Sequence, residues 1–513
     1  MSRSLSKKAL LLVLGFWLLP EAAAAGGTPP ADPITAEKIK GHVYFLASDA
    51  LEGRYPGSKG FGIAAEYAAS QFKASGLQPV AGPNGEKSYF QSVPLAKRAV
   101  QGAVEAVLRT RGGEKVFAGG DLKLFTFEGL PEEGKPCPVV FAGFGIKEPA
   151  SGWDDLKGLD VAGKVVLLMM GAPEKGGKPV LPEAVHKIYA PLNSIYRKTM
   201  AIREAAAVLF LPNEDLIKAF ESLPAVPESP QLVLDDNEAG AYRIPALGFL
   251  SLGLGQAIFG SRGLPDPAAV GEGRVPKGEL KGVELSFRVP FKDEKLETSN
   301  IMGFVQGTDP VLKDEVVVVS AHLDHLPPTP DGRIHPGAND NASGAAALLE
   351  IAAALASQPA RRTVLFVLFS AEEGAIAGSR YFLARGPFPQ EKIVVDINMD
   401  MIGRTEEGLQ AERAQYVLDA DRVTPALTGL IKDVNSRTVG WALKFEHPLN
   451  LGDSDHRVFE ALGIPAVNFY TGRIPDTHKP TDTPDKLDYE KAAQIARLVY
   501  EIAREAAGRD SLW

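Results

Sequence analysis

The stretch "DEVVVVSAHLDHLPPTPDGRIHPGANDNASG", residues 314–344, decides the fold. Val316 to Val319 form a short continuous apolar run closed by polar residues, the pattern of a strand buried on both faces. At its end the chain places His322, Asp324, His325 and, after a Pro/Gly-rich loop, Asp340. Imidazoles and carboxylates beside a buried strand are costly to desolvate unless they bind something. A metal ion is the first candidate, and the rest of the chain must supply the remaining ligands.

The same arrangement recurs downstream. "TVLFVLFSAEEG", "KIVVDINMDMIG" and "PAVNFYTGRIPDTHKPTD" are apolar runs that lead to Glu372 and Glu373, to Asp400 and to His478. "ASGAAALLEIAAALASQ" and "YEKAAQIARLVYEIAREAA" carry helical patterns. Strands alternating with helices predict an α/β fold with a mainly parallel sheet covered on both faces. Ligands of such sheets bind outside the carboxyl ends of the strands, so one rim collects the polar residues.

His322, Asp340, Glu373, Asp400 and His478 are five ligand-type residues. A single catalytic zinc needs three protein ligands and a water. Five serve two ions if one carboxylate bridges, as in two-metal hydrolytic sites. The nitrogen and oxygen donor set without thiolate suits zinc, with manganese and cobalt as open alternatives. Glu372 is then free to act as general base, and Asp324 can hold the second ring nitrogen of His322. An acidic pair is ordinarily solvated surface and a lone histidine ordinarily structural, but six such residues at successive strand ends are not independent accidents. His42, His325, His335, His447 and His456 have no place in this scheme and read as structural or loop residues.

The chain has 513 residues, more than one core usually supports, so at least two domains are expected. Its net charge of −9 argues against nucleic acid or an anionic membrane as partner. "MSRSLSKKALLLVLGFWLLPEAAAAGG" has the charged, apolar and small-residue regions of a secretory signal peptide. Its apolar run falls short of the ~20 residues that a membrane span needs. Cleavage near Ala25 removes three basic residues and Glu21, taking the charge from −9 to −11. No cysteine follows the run to carry a lipid, so an exported, periplasmic or extracellular protein without a stable membrane anchor is expected. Cys137 is the single cysteine, which excludes an intramolecular disulfide and a cysteine-rich zinc site; it reads as a small buried side chain.

"ITAEKIKGHVYFLASDALEGRYPGSKG" and "FGIAAEYAASQFKASGLQPV" predict two helices flanking a Gly-rich loop, the second ending at Gly76. From 118 to 280, short strands such as "CPVVFAGFGI", "KVVLLMM", "AAAVLFL" and "IPALGFLSL" alternate with Gly/Pro-rich loops. One histidine, His186, lies there, and no dense acidic cluster. The expected organisation is a signal peptide (1–25), a first part of the main domain (33–117), an insert without chemistry of its own (118–280) and a catalytic part (281–513).

"SAHLDH", "GANDNASG", "FSAEEGAIAGSRYF", "NMDMIG", "SDHRVFEALGIPAVNFYTG" and "HKPTDTPDKLDY" resemble the co-catalytic di-zinc aminopeptidases, relatives of glutamate carboxypeptidases and glutaminyl cyclases. "FLASDALEGRYPGSKG" is similar to the start of secreted bacterial members with a protease-associated insert, and "VVFAGFGIKEPASGWDDLKGLDVAGKVVLL" to that insert. The resemblance implies a three-layer helix-sheet-helix, phosphorylase-like peptidase domain with a mainly β protease-associated insert. It implies two zinc ions, one on His322 and Asp400, one on Glu373 and His478, with Asp340 bridging and Glu372 as base, and a cis peptide after Asp340. It implies an exopeptidase acting on the N-terminal residues of peptides. A glutamate-carboxypeptidase-like or dipeptidase activity on the same metals, a glutaminyl cyclase, and a non-catalytic receptor-like binding protein are the alternatives. The chain departs from the family at Thr477, where many members carry a tyrosine that assists the oxyanion.

Overall fold

The computed structural model describes residues 33–82, 84–192, 194–227, 229–235, 244–409, 414–446 and 454–513. The expected signal peptide and His447 lie outside the described residues. No helix among the described residues is long and apolar enough to cross a membrane.

The strand Val316–His322 is buried at every residue. Its valines suit a pleated, doubly covered position because branching at Cβ restricts them to extended rotamers that pack well. It pairs in parallel with Thr363–Phe369 on one side and Ile393–Asp400 on the other. Ala466–Tyr470 adds a fourth parallel strand. These strands lie within a nine-stranded sheet whose order is Gln231–Leu234, Phe90–Val100, Phe291–Val305, Thr363–Phe369, Val316–His322, Ile393–Asp400, Ala466–Tyr470, Ala414–Leu418, Ala442–Glu446. Successive side chains of a strand point to opposite faces. Accordingly Val317, Val319 and Ala321 join one core with the helices Ala36–Leu46, Lys59–Ala74, Gly344–Ala356 and Tyr489–Gly508. Val316 and Val318 join another with Leu365, Val367, Phe369, Phe382 and Phe459.

The helices follow the sequence closely. Asp488 caps the last one by accepting from the Lys491 N–H at 2.9 Å. The Gly-rich loop at the amino end is instead a 3₁₀ turn, Asp49–Arg54, packed under the helix Lys59–Ala74. Gly60 permits that approach, since a Cβ there would stand 1.8 Å from the Leu51 carbonyl oxygen.

A second sheet of eight strands has the order Gly113–Ala118, Glu105–Thr110, Gly278–Arg288, Cys137–Phe141, Val165–Leu168, Ala207–Phe210, Ala246–Leu250, Leu122–Thr126. All four apolar runs read between 118 and 280 are its central, mutually parallel strands. Apolar clusters lie on two faces, one including Leu254 and Ile258 of the helix Leu252–Phe259, the other Ile195 of the helix Ser194–Met200. The body is therefore mixed α/β, where the resemblance implies a mainly β insert. Parallel strands need crossovers, and helices provide them. The sheet also recruits Glu105–Ala118, ahead of the expected boundary. In return Gln231–Leu234 pairs antiparallel with Phe90–Val100 at the edge of the large sheet. Leu232 and Leu234 there share a cluster with Val93, Leu95, Ala371 and Ala377. Replacing buried Leu232 with alanine is expected to lower the unfolding free energy by about 2–4 kcal/mol in urea titration, the range of cavity-forming Leu→Ala changes; a loss below ~0.5 kcal/mol would mean this strand is not part of the cooperative core.

Candidate metal centre

His322 is the last residue of Val316–His322, and Asp400 the last of Ile393–Asp400. Glu372 and Glu373 open the short helix Glu372–Ala375 just beyond Thr363–Phe369. Asp340 lies in the turn Ala338–Ser343 that leads into Gly344–Ala356. His478 sits in the loop after Ala466–Tyr470. Left-handed backbone at non-glycine residues gathers here: Ala371, Met401 and His478 have φ of 59°, 60° and 58°. Such conformations persist where surrounding contacts fix them, commonly at functional sites.

The five expected ligands converge. His322 Nε2 lies 3.2 Å from Asp400 Oδ1 and 3.4 Å from Asp340 Oδ1. His478 Nε2 lies 3.2 Å from Asp340 Oδ2 and 3.0 Å from Glu373 Oε2. Each oxygen of Asp340 thus faces a different imidazole. The peptide bond Asp340-Asn341 is cis. His325, read as a loop residue, joins the group: its Nδ1 is 2.5 Å from Glu373 Oε1. Two sets of ligand atoms, His322, Asp340, Asp400 and His325, Asp340, Glu373, each lie within 4.8 Å of one another. Asp340 belongs to both.

The electrostatics fit a bound cation. Burial disfavours charge on Asp340, yet the hydrogen bonds of His322 and His478 and the charge of His325 hold its carboxyl well below the usual range. The hydrogen bonds to Asp340 and Glu373 push His478 up to about 11. Carboxylates outnumber imidazoles, and positive charge is what the cluster lacks. Its donors are all nitrogen and oxygen, with the Nδ1 of His325 facing Glu373 and, at 3.9 Å, Asp340; such a set suits zinc or a similar divalent ion. The Asp324 carbonyl accepts from His322 Nδ1 at 3.2 Å. That bond selects the tautomer whose Nε2 is free to ligate. The Asp324 carboxylate, 3.8 Å from the same Nδ1, turns instead to the N–H groups of Glu372 at 3.2 Å and Glu373 at 3.5 Å. It ties the acid pair to the histidine loop.

Glu372 is in the same field. Its burial, with Asp400, Glu373 and Asp455 nearby, pushes its carboxyl well above the ordinary value despite His322. The other histidines lie apart: His42 bonds Tyr67 and Glu350, His335 the Pro327 carbonyl, and His456 pairs with Asp419. His186 faces Glu174 in the second sheet's body.

Three supporting residues were not singled out from sequence. Arg54 is wholly buried and donates to the carbonyls of Leu46, Leu323, Pro336 and Gly337. Asp482 accepts from the Asn339 and Asp340 N–H groups at 3.0–3.1 Å. Asp455, fully buried, is pushed by burial up to about 7. All three stand in the motifs quoted above for the family resemblance, where residue type alone does not report their burial. His325 stands in those motifs too, three residues beyond His322 in the same loop.

Residues 300–503 match the model of Peptidase family M28. The matched region is similar to that family. Among curated relatives, the aminopeptidase YwaD of Bacillus subtilis is 28% identical over 228 residues, 42% of this chain and 46% of its own. An aminopeptidase of Pseudomonas aeruginosa is 32% identical over 160 residues, 31% of this chain and 27% of its own. The chain spans about half the length of the first curated relatives it matches. Among solved structures, BSAP, a zinc aminopeptidase from Bacillus subtilis, aligns over 93% of this chain and 97% of its own at 21% identity and a TM-score of 0.47.

Arg54 supports the metal centre by bonding carbonyls of the segments that carry Asp324 and Asp340. Arg54→Met leaves four carbonyls without their donor, at about 1–3 kcal/mol for each that stays dry. The expected result is a melting temperature lowered by several degrees in the presence of a chelator, where bound metal cannot mask it. An unchanged value would show that the loops hold themselves.

Proposed function

We propose that the chain is an exported metallo-aminopeptidase with two zinc ions per chain. What carries the reading is Asp340, one carboxylate common to two ligand sets. In this reading His322 and Asp400 would hold one ion and Glu373 and His478 the other, with Asp340 shared between them. Two bound zinc ions would polarise the scissile carbonyl and acidify a water beside it.

The protein's own part is proton transfer and orientation. Glu372 takes a proton from the attacking water as its oxygen bonds to the carbonyl carbon. It gives that proton to the amine nitrogen as the C–N bond breaks, so one water is consumed and an acid and an amine are released. The raised affinity of Glu372 for protons supports the second role. Asp324 holds both acidic residues by their backbone. His478, with a side chain 53% exposed among otherwise buried ligands, marks the side from which a peptide enters. The M28 relatives named as aminopeptidases support removal of N-terminal residues. Thr477, next to His478 in the chain, has a buried hydroxyl without a hydrogen-bond partner.

With this function we read residues 1–25 as a signal peptide and 118–280 as a protease-associated insert in a helix-sheet-helix peptidase domain. Glu372→Gln is expected to keep its zinc and to lose about 10²–10⁴-fold in turnover of aminoacyl fluorogenic substrates. N-acetylated versions of those substrates are expected to resist the unmutated protein. Near-normal turnover in the variant would remove Glu372 from the chemistry, and equal cleavage of blocked substrates would rule out an aminopeptidase.

A further inference from the structure

Of the five converging ligands, one lacks the support of the core. The side chains of His322, Asp340, Glu373 and Asp400 are no more than 8% exposed, while more than half of His478 faces solvent. Its backbone is left-handed, at φ 58°. An exposed side chain on a loop has rotamer and backbone freedom to lose when it takes up a fixed position. Two anchors frame the loop. Ile474 is buried with Met401, Leu418 and Tyr470. Asp482 accepts from the Asn339 and Asp340 N–H groups. Between them Asp476, two residues before His478, reaches out of the loop. Arg404 Nη1 donates to its Oδ2 at 3.2 Å. Its Oδ1 accepts from Lys486 Nζ at 2.9 Å and from the Thr481 hydroxyl at 2.6 Å. Lys486 also donates to the Thr481 carbonyl at 2.6 Å, which closes the far side of the loop.

The partners of Asp476 come from fixed parts of the chain. Arg404 lies four residues beyond Asp400, and its carbonyl accepts from the buried Lys491 at 2.5 Å. Lys486 ends the turn Pro484–Lys486 just before the helix Tyr489–Gly508. A partly exposed ion pair adds little to stability by itself. What three donors on one carboxylate do fix is geometry. We propose that Asp476 is a positioning residue of the metal centre, whose carboxylate pins the loop and so places the His478 imidazole against Asp340 and Glu373 before an ion arrives. Asp476 thereby ties the outer ligand of one ion to the segment that carries Asp400, the outer ligand of the other. Freedom already lost in the empty site is not lost again on binding, which raises affinity without a new contact to the ion.

The inference rests on the two-ion reading, and two measurements on full-length protein separate them. In the first, chelator-stripped protein is titrated with zinc against a chromophoric competitor. The unmutated protein is expected to bind two ions. In Asp476→Ala one binding step is expected to weaken by about tenfold or more while the other stays within about twofold, the cost usual for partners that orient a metal ligand. Lys486→Met leaves Arg404 and Thr481 on the carboxylate. It is expected to weaken the same step by less, and it serves if Asp476→Ala does not fold. The second measurement needs no metal. Tryptic cleavage after Arg473 in the stripped proteins, followed by mass spectrometry, is expected to be several-fold faster in either variant, because cleavage requires the loop to open locally. Two binding steps unchanged in the variants would overturn the proposal. So would equal weakening of both steps, which a general loss of stability produces. A single ion on the unmutated protein would refute the two-ion reading instead. The cleavage rates would then decide the role of Asp476 alone, and equal rates would overturn it.

Discussion

Asp340 stands 3.4 Å from one imidazole and 3.2 Å from another, through different oxygens, and the surrounding structure is organised to keep it there. Asp482 takes its backbone N–H, and Arg54 takes the carbonyls of Pro336 and Gly337 just before it. Asn341 donates to the Met399 carbonyl at 2.9 Å and accepts from the Met401 N–H at 3.1 Å, so it straddles Asp400. Ser343 accepts from the Ile402 N–H at 3.1 Å, and Asn339 from the Gly403 N–H at 2.8 Å. The polar residues of "GANDNASG" are thus a clasp between two ligand-bearing segments. Their burial is tolerated because Asn339 Oδ1, Asn341 and Ser343 find backbone partners there, with Asn339 Nδ2 left unpartnered.

The acid pair has its own support. Leu232 lies against Gly374, where a Cβ would stand 3.3 Å from its Cδ1. Glu128 and Arg380 form a buried ion pair that joins the second sheet's body to the helix Ala377–Arg385. The stretch 118–280 therefore supplies packing beneath Glu372 and Glu373. Truncating an anchor such as Leu232 is felt first in stability, and a small displacement of Glu372 would be felt in catalysis.

Much of this was legible in the chain. Runs such as "VVVV" and "TVLFVLF" report burial directly, and ligand-type residues at their ends report the rim. Arg54 was not, because an arginine in a Gly-rich loop reads as solvated until its four carbonyl partners are known. His325 stands three residues beyond His322, but five ligand-type residues already complete the set without it. Only the fold brings it against Glu373. The helices of the second sheet's body were not legible because they are short and uneven, and periodicity is weak over six to eight residues. The exchange of Gln231–Leu234 into the large sheet rests on long-range pairing that no local pattern encodes.

Asp340, common to both ligand sets, is expected to serve two ions. Two unit charges ~4 Å apart repel by about 4 kcal/mol at a protein-like effective dielectric, and divalent ions by more, so removing a shared carboxylate costs both ions at once. Elemental analysis of Asp340→Ala and His478→Ala after identical dialysis is the direct measurement. Asp340→Ala is expected to hold fewer than one ion per chain, and His478→Ala about one, since His322, Asp340 and Asp400 still give three ligands. Equal metal content in the two variants would contradict a bridging Asp340.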